Sequence, residues 1–447
     1  MSTDRSTLSP QEREKASVFH SWSAQATINP MMVKSAEGVY VTDEAGTTYL
    51  DFSSQLVNTN VGHQHPSVVR AIQEQAAVLC TIAPQHGYQA RYRAAELILD
   101  HSFDGAAKVF FTNGGTESVE HAVRMARLHT GRYKVLSTYR SYHGGTSTSI
   151  NLTGDPRRWP NDHSTSGAVH FFGPFLYRSA YNATTEEEER DRALENLENI
   201  IRFEGPAAFA AIILETIPGT AGIMMPPKGY LAGVREICDR YGIVYIADEV
   251  MCGFGRTGSW FAYQDQGVKP DLVAFAKGVN SGYVPLGGVV LNEAISASFN
   301  DRVYPGGLTY SGHPLACAAA VACIEAMENE KIVENAKRIG DEVLRPGLEE
   351  LARRHKIIGE VRGTGVFFAL ELVSDRATKE PLAPYGGTSP AIGEIMAACK
   401  AEALLIFNNF HRLHVVPPCT VTDDEAREGL ARLDRALGVA AKYYVGA

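Results

Sequence analysis

At 447 residues the chain is too long for one small core, and its length predicts two or three domains. A formal charge of −9 and an isoelectric point near 5.9 argue against a nucleic-acid binder or a basic membrane-surface protein, since both need a positive field. Small-molecule chemistry is the expectation that remains. The seven cysteines, Cys80, Cys238, Cys252, Cys317, Cys323, Cys399 and Cys419, are scattered, odd in number and without a CxxC pair. That fits a reducing cytoplasm better than a disulfide framework, and no metal site is expected from them. The opening "MSTDRSTLSPQEREKAS" lacks the apolar stretch of a secretory signal, and no apolar run approaches the ~18–20 residues of a membrane span.

After this polar leader, "GVYVTDEAGTTYLDF" reads as a hairpin, two alternating strands around a turn at 43–46. From about 108 to 291 the pattern becomes strand, loop, helix. The strands are "KVFFT", "KVLST", "AAIILET", "IVYIADE", "LVAFA" and "GGVVL", and between them Val119, Ala122, Val123 and Ala126 share one helical face, as do Tyr230, Val234, Ile237 and Tyr241. Such alternation predicts an α/β fold with a mostly parallel central sheet covered by helices. Beyond the helical "PLACAAAVACIEAMENE", a long polar helix is expected to run to about 354. Strands "IIGEVRG" and "GVFFALEL", a helix near 392–403, strand "LHVVPP" and a last helix with Ala426, Leu430, Leu433 and Leu437 inward complete the chain. The expected division is 1–60 as an N-terminal segment and hairpin joining the small domain, 61–330 as the large domain, and 331–447 as a smaller α+β domain.

The chemistry gathers at strand ends. "PDLVAFAKGVNSGYVPLGG" runs five apolar residues into Lys277 and then a glycine-rich turn. Ligands of open α/β sheets bind at the carboxyl ends of strands, and a lysine forced toward a dry site there tends to lose its proton and become a nucleophile. The alternative is an aliphatic stem along the surface with its ammonium in water. "FFTNGGTESVEHAVRMAR" passes through Gly114 and Gly115 into a helix with Thr116 near its start, which is either a phosphate cradle or an ordinary capped helix. It is neither a P-loop nor a dinucleotide fingerprint. "IVYIADEVMCGFGRTG" leaves Asp248 and Glu249 at a strand end among apolar neighbours, where a carboxylate needs a cation or donors; a fixed arginine is one candidate. "STYRSYHGGTS" adds Tyr142 and His143, an aromatic ring that either stacks on a flat ligand or fills the core. A flat ligand with a phosphate, a ring nitrogen that benefits from a carboxylate and an aldehyde for a neutral lysine would meet all four stretches, and pyridoxal phosphate has these parts.

Taken in order, "LDFSSQLVNTNVGHQHP", "FFTNGGTESVEHAVRMAR", "SYHGGT", "IILETIPGTAG", "ADEVMCGFGRTG", "FAKGVNSGYVPLGG" and "LTYSGHPLACAAA" resemble the class-III pyridoxal-phosphate-dependent aminotransferases of fold type I over essentially the whole chain. The resemblance implies that Lys277 forms a Schiff base with the cofactor and shuttles the proton, and that Asp248 pairs with the pyridinium nitrogen. It further implies that Val250 packs under the ring, Tyr142 stacks on its other face, Gly115 and Thr116 hold the phosphate, and Glu215 belongs to the cofactor site. Thr309 would reach the phosphate of a neighbouring subunit in a homodimer, with pairing of dimers into tetramers left open. Met251 and Thr216 stand where ornithine- and 4-aminobutyrate-type members usually have glutamine and proline, which points away from those substrates. Arg412 lies closer to "PP" than the acceptor-binding arginine of many members, so it is either an anion ligand or a surface residue, while His411 and His414 read as strand residues. "HSWSAQAT" around Trp22 and "SSQL" with Leu56 resemble members acting on taurine or β-alanine. The implied reaction moves an amino group from such an ω-amino acid or amine to pyruvate or 2-oxoglutarate. The rival is a phospho-lyase acting on an O-phosphorylated amine, for which Arg412, Arg157 and Arg158 are the available cations; a non-catalytic scaffold would have little reason to keep Lys277.

Overall fold

The computed structural model describes residues 5–162 and 167–446. Seven strands form the central sheet: β1 (Ala106–Thr112), β2 (Lys134–Thr138), β3 (Ala168–Phe171), β4 (Phe209–Glu215), β5 (Val244–Asp248), β6 (Leu272–Phe275) and β7 (Gly287–Asn292). Their spatial order is β1-β7-β6-β5-β4-β2-β3. The neighbours from β6 to β3 are parallel, and β7 alone runs against both of its neighbours. Every residue of β4, β5 and β6 is buried, which is why these segments read as unbroken apolar runs: a parallel strand covered on both faces has no solvent side for polar residues. Helix Gly115–Thr130 turns Val119, Ala122, Val123 and Ala126 inward, and helix Tyr230–Tyr241 does so with Tyr230, Val234 and Ile237.

C-terminal strands Ile358–Thr364, Phe367–Asp375, Arg412–Val415 and Phe407–Asn409 form a separate antiparallel sheet. Helices Pro390–Ala401 and Asp423–Leu437 accompany it, with Ala426, Leu430, Leu433 and Leu437 of the latter buried. The N-terminal hairpin, Tyr40–Asp43 and Thr48–Asp51, gains a further strand at Val33–Glu37, and Leu404–Leu405 adds in parallel to its other edge, so the two ends of the chain share one small sheet. The long polar helix expected up to 354 is interrupted. Helix Pro314–Asn329 ends before Lys331, which has φ 53°, and the stretch from Ile332 onward contains a π turn at Gly340–Leu344 before Arg345–Arg354. The π turn falls where the backbones of Gly340 and Gly365 meet, so close that a Cβ on Gly340 would lie 2.1 Å from the Gly365 carbonyl oxygen.

Arg256, fully buried, ties these parts together without a carboxylate partner. Its Nη1 donates to the carbonyls of Val366 (3.2 Å) and Pro417 (2.5 Å), and its Nη2 to Asn60 Oδ1 (2.7 Å) and Ser54 Oγ (3.2 Å). Among the described residues no helix is long and apolar enough to cross a membrane, and no group of histidine, cysteine and carboxylate side chains could hold a metal ion.

The last helix packs on the hairpin through Gly429, where an added Cβ would lie 1.8 Å from Phe52 Cζ. Gly429→Ala is therefore expected to destabilise the chain by about 1–3 kcal/mol through overpacking, read as a lower midpoint of chemical denaturation than that of the wild type.

Candidate active site

The sheet register builds the floor of the site. Glu215 and Asp248 are direct partners at the ends of β4 and β5, and Asp248 faces Ala274 of β6, three residues before Lys277. Lys277 has φ 46° and opens a short 3-10 turn, Lys277–Val279. A left-handed conformation at a residue with a Cβ costs on the order of 1 kcal/mol or more, and here it turns the lysine out of the strand line and into the cleft. Desolvation pulls the Lys277 amine below the usual lysine value, against the opposing pull of the Asp248 and Glu215 carboxylates, while Arg157 adds to the lowering. The side chain is thus set among charged groups in a cleft and does not extend along the surface into water.

Each carboxylate at these strand ends has a different partner. Asp248, buried, accepts the Val250 N–H at Oδ1 (3.1 Å) and lies 2.6 Å from His143 Nδ1 at Oδ2. Its only ion-pair partner among the described residues is this histidine and no arginine. Glu215 accepts the N–H groups of Tyr142 (2.9 Å) and Gly219 (2.8 Å), and burial pushes its carboxyl up to about 7. Glu249 points elsewhere: it accepts Thr216 Oγ1 (2.5 Å) and the N–H groups of Ala262 (2.9 Å) and Tyr263 (3.1 Å), bracing the following loop. Burial raises Glu249 likewise to about 7.

Helix Gly115–Thr130 is fixed at its start by Ser118, whose hydroxyl donates to the Phe275 carbonyl of β6 (3.0 Å). That bond sets the first-turn N–H groups, which have no partner within a helix, beside Lys277. A Cβ on Gly115 would lie 2.7 Å from Val250 Cγ1, so only glycine leaves this cradle open. Thr116 Oγ1 accepts the N–H groups of Gly145 (3.1 Å) and Thr146 (3.3 Å) and contacts Ser149 Oγ (2.7 Å), binding the "SYHGGT" turn to the helix. Gly115, Thr116, Tyr142, Glu215, Asp248, Val250 and Lys277 all line one cleft, together with His143, Gly144, Met251 and Ala276. A phosphate at a helix N-terminus, a ring between Val250 and Tyr142, and a carboxylate for a ring nitrogen are what pyridoxal phosphate requires, and these residues are placed so that they could supply them.

Three of the residues expected at the site, Trp22, Leu56 and Arg412, are not gathered into this cleft. Trp22 is 70% exposed and Leu56 is 50% exposed, and neither lines it; Thr309, expected at the phosphate of a neighbouring subunit, is exposed. Leu56 sits in a strained turn, with φ of 44°, 61° and 59° at Ser54, Gln55 and Val57. Arg412 is buried and faces Glu371 across the C-terminal sheet, its Nε 3.4 Å from Glu371 Oε2, and it lines a different pocket. His411 also pairs with Glu371 (2.9 Å), and His414 faces the Gly219 carbonyl (3.1 Å), with burial pulling it down to about 3. Two contributors have contacts here that their own stretches of sequence do not signal, although the sequence marks Arg157 as a candidate cation for a phosphorylated substrate. His143 was noticed only as the neighbour of Tyr142, and nothing in "SYHGGT" pointed to Asp248. Arg157 places its guanidinium 3.5 Å from the centre of the Tyr142 ring while pairing with Asp155 (Nε to Oδ2, 2.9 Å), and "DPRRWP" gave no signal for that.

Gly115→Ala is expected to weaken binding of pyridoxal phosphate by roughly tenfold or more, about 1.4 kcal/mol, because the methyl group displaces Val250 into the cleft. Fluorescence titration of the cofactor against the apoprotein, with far-ultraviolet circular dichroism showing an unchanged fold, checks this.

Residues 22–437 match the family model for class-III aminotransferases. The chain is 34% identical to a taurine–pyruvate aminotransferase from Bilophila wadsworthia over 445 residues, covering 95% of this chain and 96% of that one. It is also 34% identical to the 5-aminovalerate aminotransferase DavT of Pseudomonas aeruginosa over 414 residues, covering 91% and 93%. The solved taurine:2-oxoglutarate aminotransferase of Bifidobacterium kashiwanohense, in complex with pyridoxal phosphate and glutamate, superposes with a TM-score of 0.94 at 40% identity, covering 97% of this chain and 98% of that one. A cleft built for a flat phosphorylated cofactor, on a fold shared along nearly its full length with such enzymes, places the chain in a definite family: it belongs to the class-III, fold-type-I aminotransferases and works with pyridoxal phosphate.

Proposed function

We propose that the enzyme transfers the amino group of an ω-amino acid or ω-aminosulfonate, taurine- or β-alanine-like, to pyruvate or 2-oxoglutarate. Arg157 carries this reading. A donor of this class has its amine at one end and an anion two carbons away, and Arg157 leans over Tyr142 in electrostatic reach of Lys277, so that one molecule can place its amine at the lysine and its anion at the arginine. The names of the relatives support the same class of donor. We further propose that the enzyme acts in the cytoplasm as a homodimer in which Thr309 of the partner subunit completes the phosphate site; the free state of all seven cysteines supports a reducing compartment.

When bound, pyridoxal phosphate supplies the electron sink that takes up the pair left by a breaking C–H bond. Asp248, oriented by His143, is the carboxylate available to hold a proton on the ring nitrogen. Glu215, whose carboxyl burial raises to about 7, carries less negative charge near neutrality than an ordinary carboxylate, and its oxygens accept the Tyr142 and Gly219 N–H groups. Lys277, desolvated and therefore more readily neutral, can take a proton from the substrate carbon and return it on the other side of the reaction. Tyr142 and Val250 confine the ring plane, and the first turn of helix Gly115–Thr130 anchors the phosphate.

Two outcomes are expected. Capture of pyridoxal phosphate by the apoprotein should speed up with rising pH and level off below the ordinary lysine value of 10.5, because the amine of Lys277 is neutral at lower pH than a solvated one; a plateau at or above that value would show that the lysine is not desolvated. Taurine or β-alanine, added without acceptor, should bleach the cofactor's visible band until pyruvate or 2-oxoglutarate is supplied, and Arg157→Ala should raise the KM of that donor by roughly tenfold or more while a simple primary amine is unaffected. A band that recovers without acceptor while phosphoethanolamine releases phosphate would instead assign a lyase.

A further inference from the structure

A second cavity of about 480 Å³ lies where the 139–142 turn and the 154–159 segment meet the C-terminal sheet. Arg140, Arg158, Arg178 and Arg412 line it beside Trp159 and Tyr385, and it shares no lining residue with the Lys277 cleft. The Arg140 N–H donates to the Gly154 carbonyl (3.0 Å) and the Gly154 N–H to the Ser141 carbonyl (3.0 Å), which ties the two segments together beside this cavity.

The charges around this cavity do not balance. Glu371 accepts Arg178 Nε (2.8 Å), Arg362 Nη2 (2.6 Å) and His411 Nε2 (2.9 Å), with Arg412 Nε a further 3.4 Å away, so one carboxylate faces three guanidinium groups. Arg362 has a second carboxylate in Glu360 (2.5 Å). Arg158 is paired with Asp162 and Arg157 with Asp155, which leaves nothing for Arg140. Its guanidinium makes no hydrogen bond or ion pair among the described residues and rests 5.5 Å from the centre of the Phe175 ring. Burial between Arg178 and Arg362 already lowers its pKa, and burial keeps His411 low as well and hence largely neutral near pH 7. Arg140, Arg178, Arg362 and Arg412 thus stand against Glu371 and Glu360 alone, an excess of two positive charges. In addition, Arg178 Nη2 and Arg412 Nε are buried donors without a hydrogen-bond partner. The backbone of Arg140 has φ 69°, a conformation that a long side chain rarely adopts and that turns this residue toward the cavity. Buried guanidinium groups are normally matched by carboxylates, and a fixed fork of donors fits an oxyanion.

We propose that this cavity is a second anion-binding site, outside the cofactor cleft, that takes a compact dianion between Arg140, Arg178 and Arg412. Two sources share that chemistry, a short dicarboxylate and a phosphate monoester. The aromatic walls of Trp159 and Tyr385 at its edge favour a small organic ion over a polymer.

Isothermal titration of the cofactor-loaded enzyme with glutarate, and separately with selenate, tests this. Expected is one dianion bound per chain with no change in the cofactor's visible band, because occupancy of the Lys277 cleft would move that band. Arg140→Gln is expected to weaken this binding by roughly tenfold or more, the loss of a charge-assisted contact, while turnover with pyruvate stays at the wild-type level. Displacement of selenate by glutarate assigns a dicarboxylate, and retention of selenate assigns a phosphate-like oxyanion; both carry the proposal. It falls if neither probe binds outside the cleft, or if Arg140→Gln binds both as tightly as the wild type. Should Arg140→Gln not fold, selenium anomalous scattering from soaked wild-type holoenzyme crystals decides: a peak within hydrogen-bond reach of Arg140 and Arg178 supports the site, and none overturns it.

Discussion

A lysine amine held out of water beside two carboxylates is the constraint from which the rest of the molecule follows. Three parallel strands in register deliver Glu215, Asp248 and Lys277 to one edge of the sheet. Two carboxylates so close cannot both ionise freely, and the surroundings separate their roles: Glu215 has only backbone N–H donors and is raised by burial, whereas Asp248 has His143. The strand ends therefore present two carboxylates in unlike surroundings beside a desolvated amine, which is an asymmetry that proton transfer on a cofactor ring can use.

Holding that asymmetry requires distant parts of the chain to be stiff relative to one another. Arg256 does this with four hydrogen bonds to segments from both ends of the sequence, and it does so while fully buried and without a counter-ion. Its carbonyl and amide acceptors disperse the charge where a single carboxylate would localise it. The same hub reaches Ser54, the first of the left-handed residues in the Ser54–Val57 turn, so the strain in that turn is supported by a buried network and not by the turn itself.

The parts of this arrangement that could be read from sequence are those in which one local pattern determines the outcome. Strands β4, β5 and β6 announce themselves because burial on both faces forbids polar residues, and Lys277, Asp248 and Gly115 stand out because each interrupts such a pattern. Strands Val33–Glu37, Ala168–Phe171 and Phe407–Asn409 went unread: they are short, sit at sheet edges and have partly exposed faces, so their composition is that of a loop. The π turn at Gly340 depends on Gly365, a contact with no trace in either stretch alone. Side-chain partnerships were the least legible. His143 and Asp248 are brought together by β2 and β5 lying one strand apart from each other across β4, and Arg412 meets Glu371 only because the register of two antiparallel strands puts them opposite.

Arginine shows how far the same side chain can be driven in different directions by its partners. Arg256 is solvated by backbone carbonyls and by the Asn60 and Ser54 side chains, and it serves as a structural tie. Arg157, paired to Asp155 and resting on Tyr142, keeps one edge free within reach of the reacting amine. Arg140 is two residues from Tyr142, yet the turn between them sends its guanidinium to the opposite side, among other arginines and away from any carboxylate of its own. Folding does not gather like charges in a partly dry cavity for stability, since each must be desolvated and each repels the next. Arg140 is nevertheless held in a left-handed conformation at such a place, and the anion proposed for the cavity would supply the counter-charge that the surrounding side chains leave out.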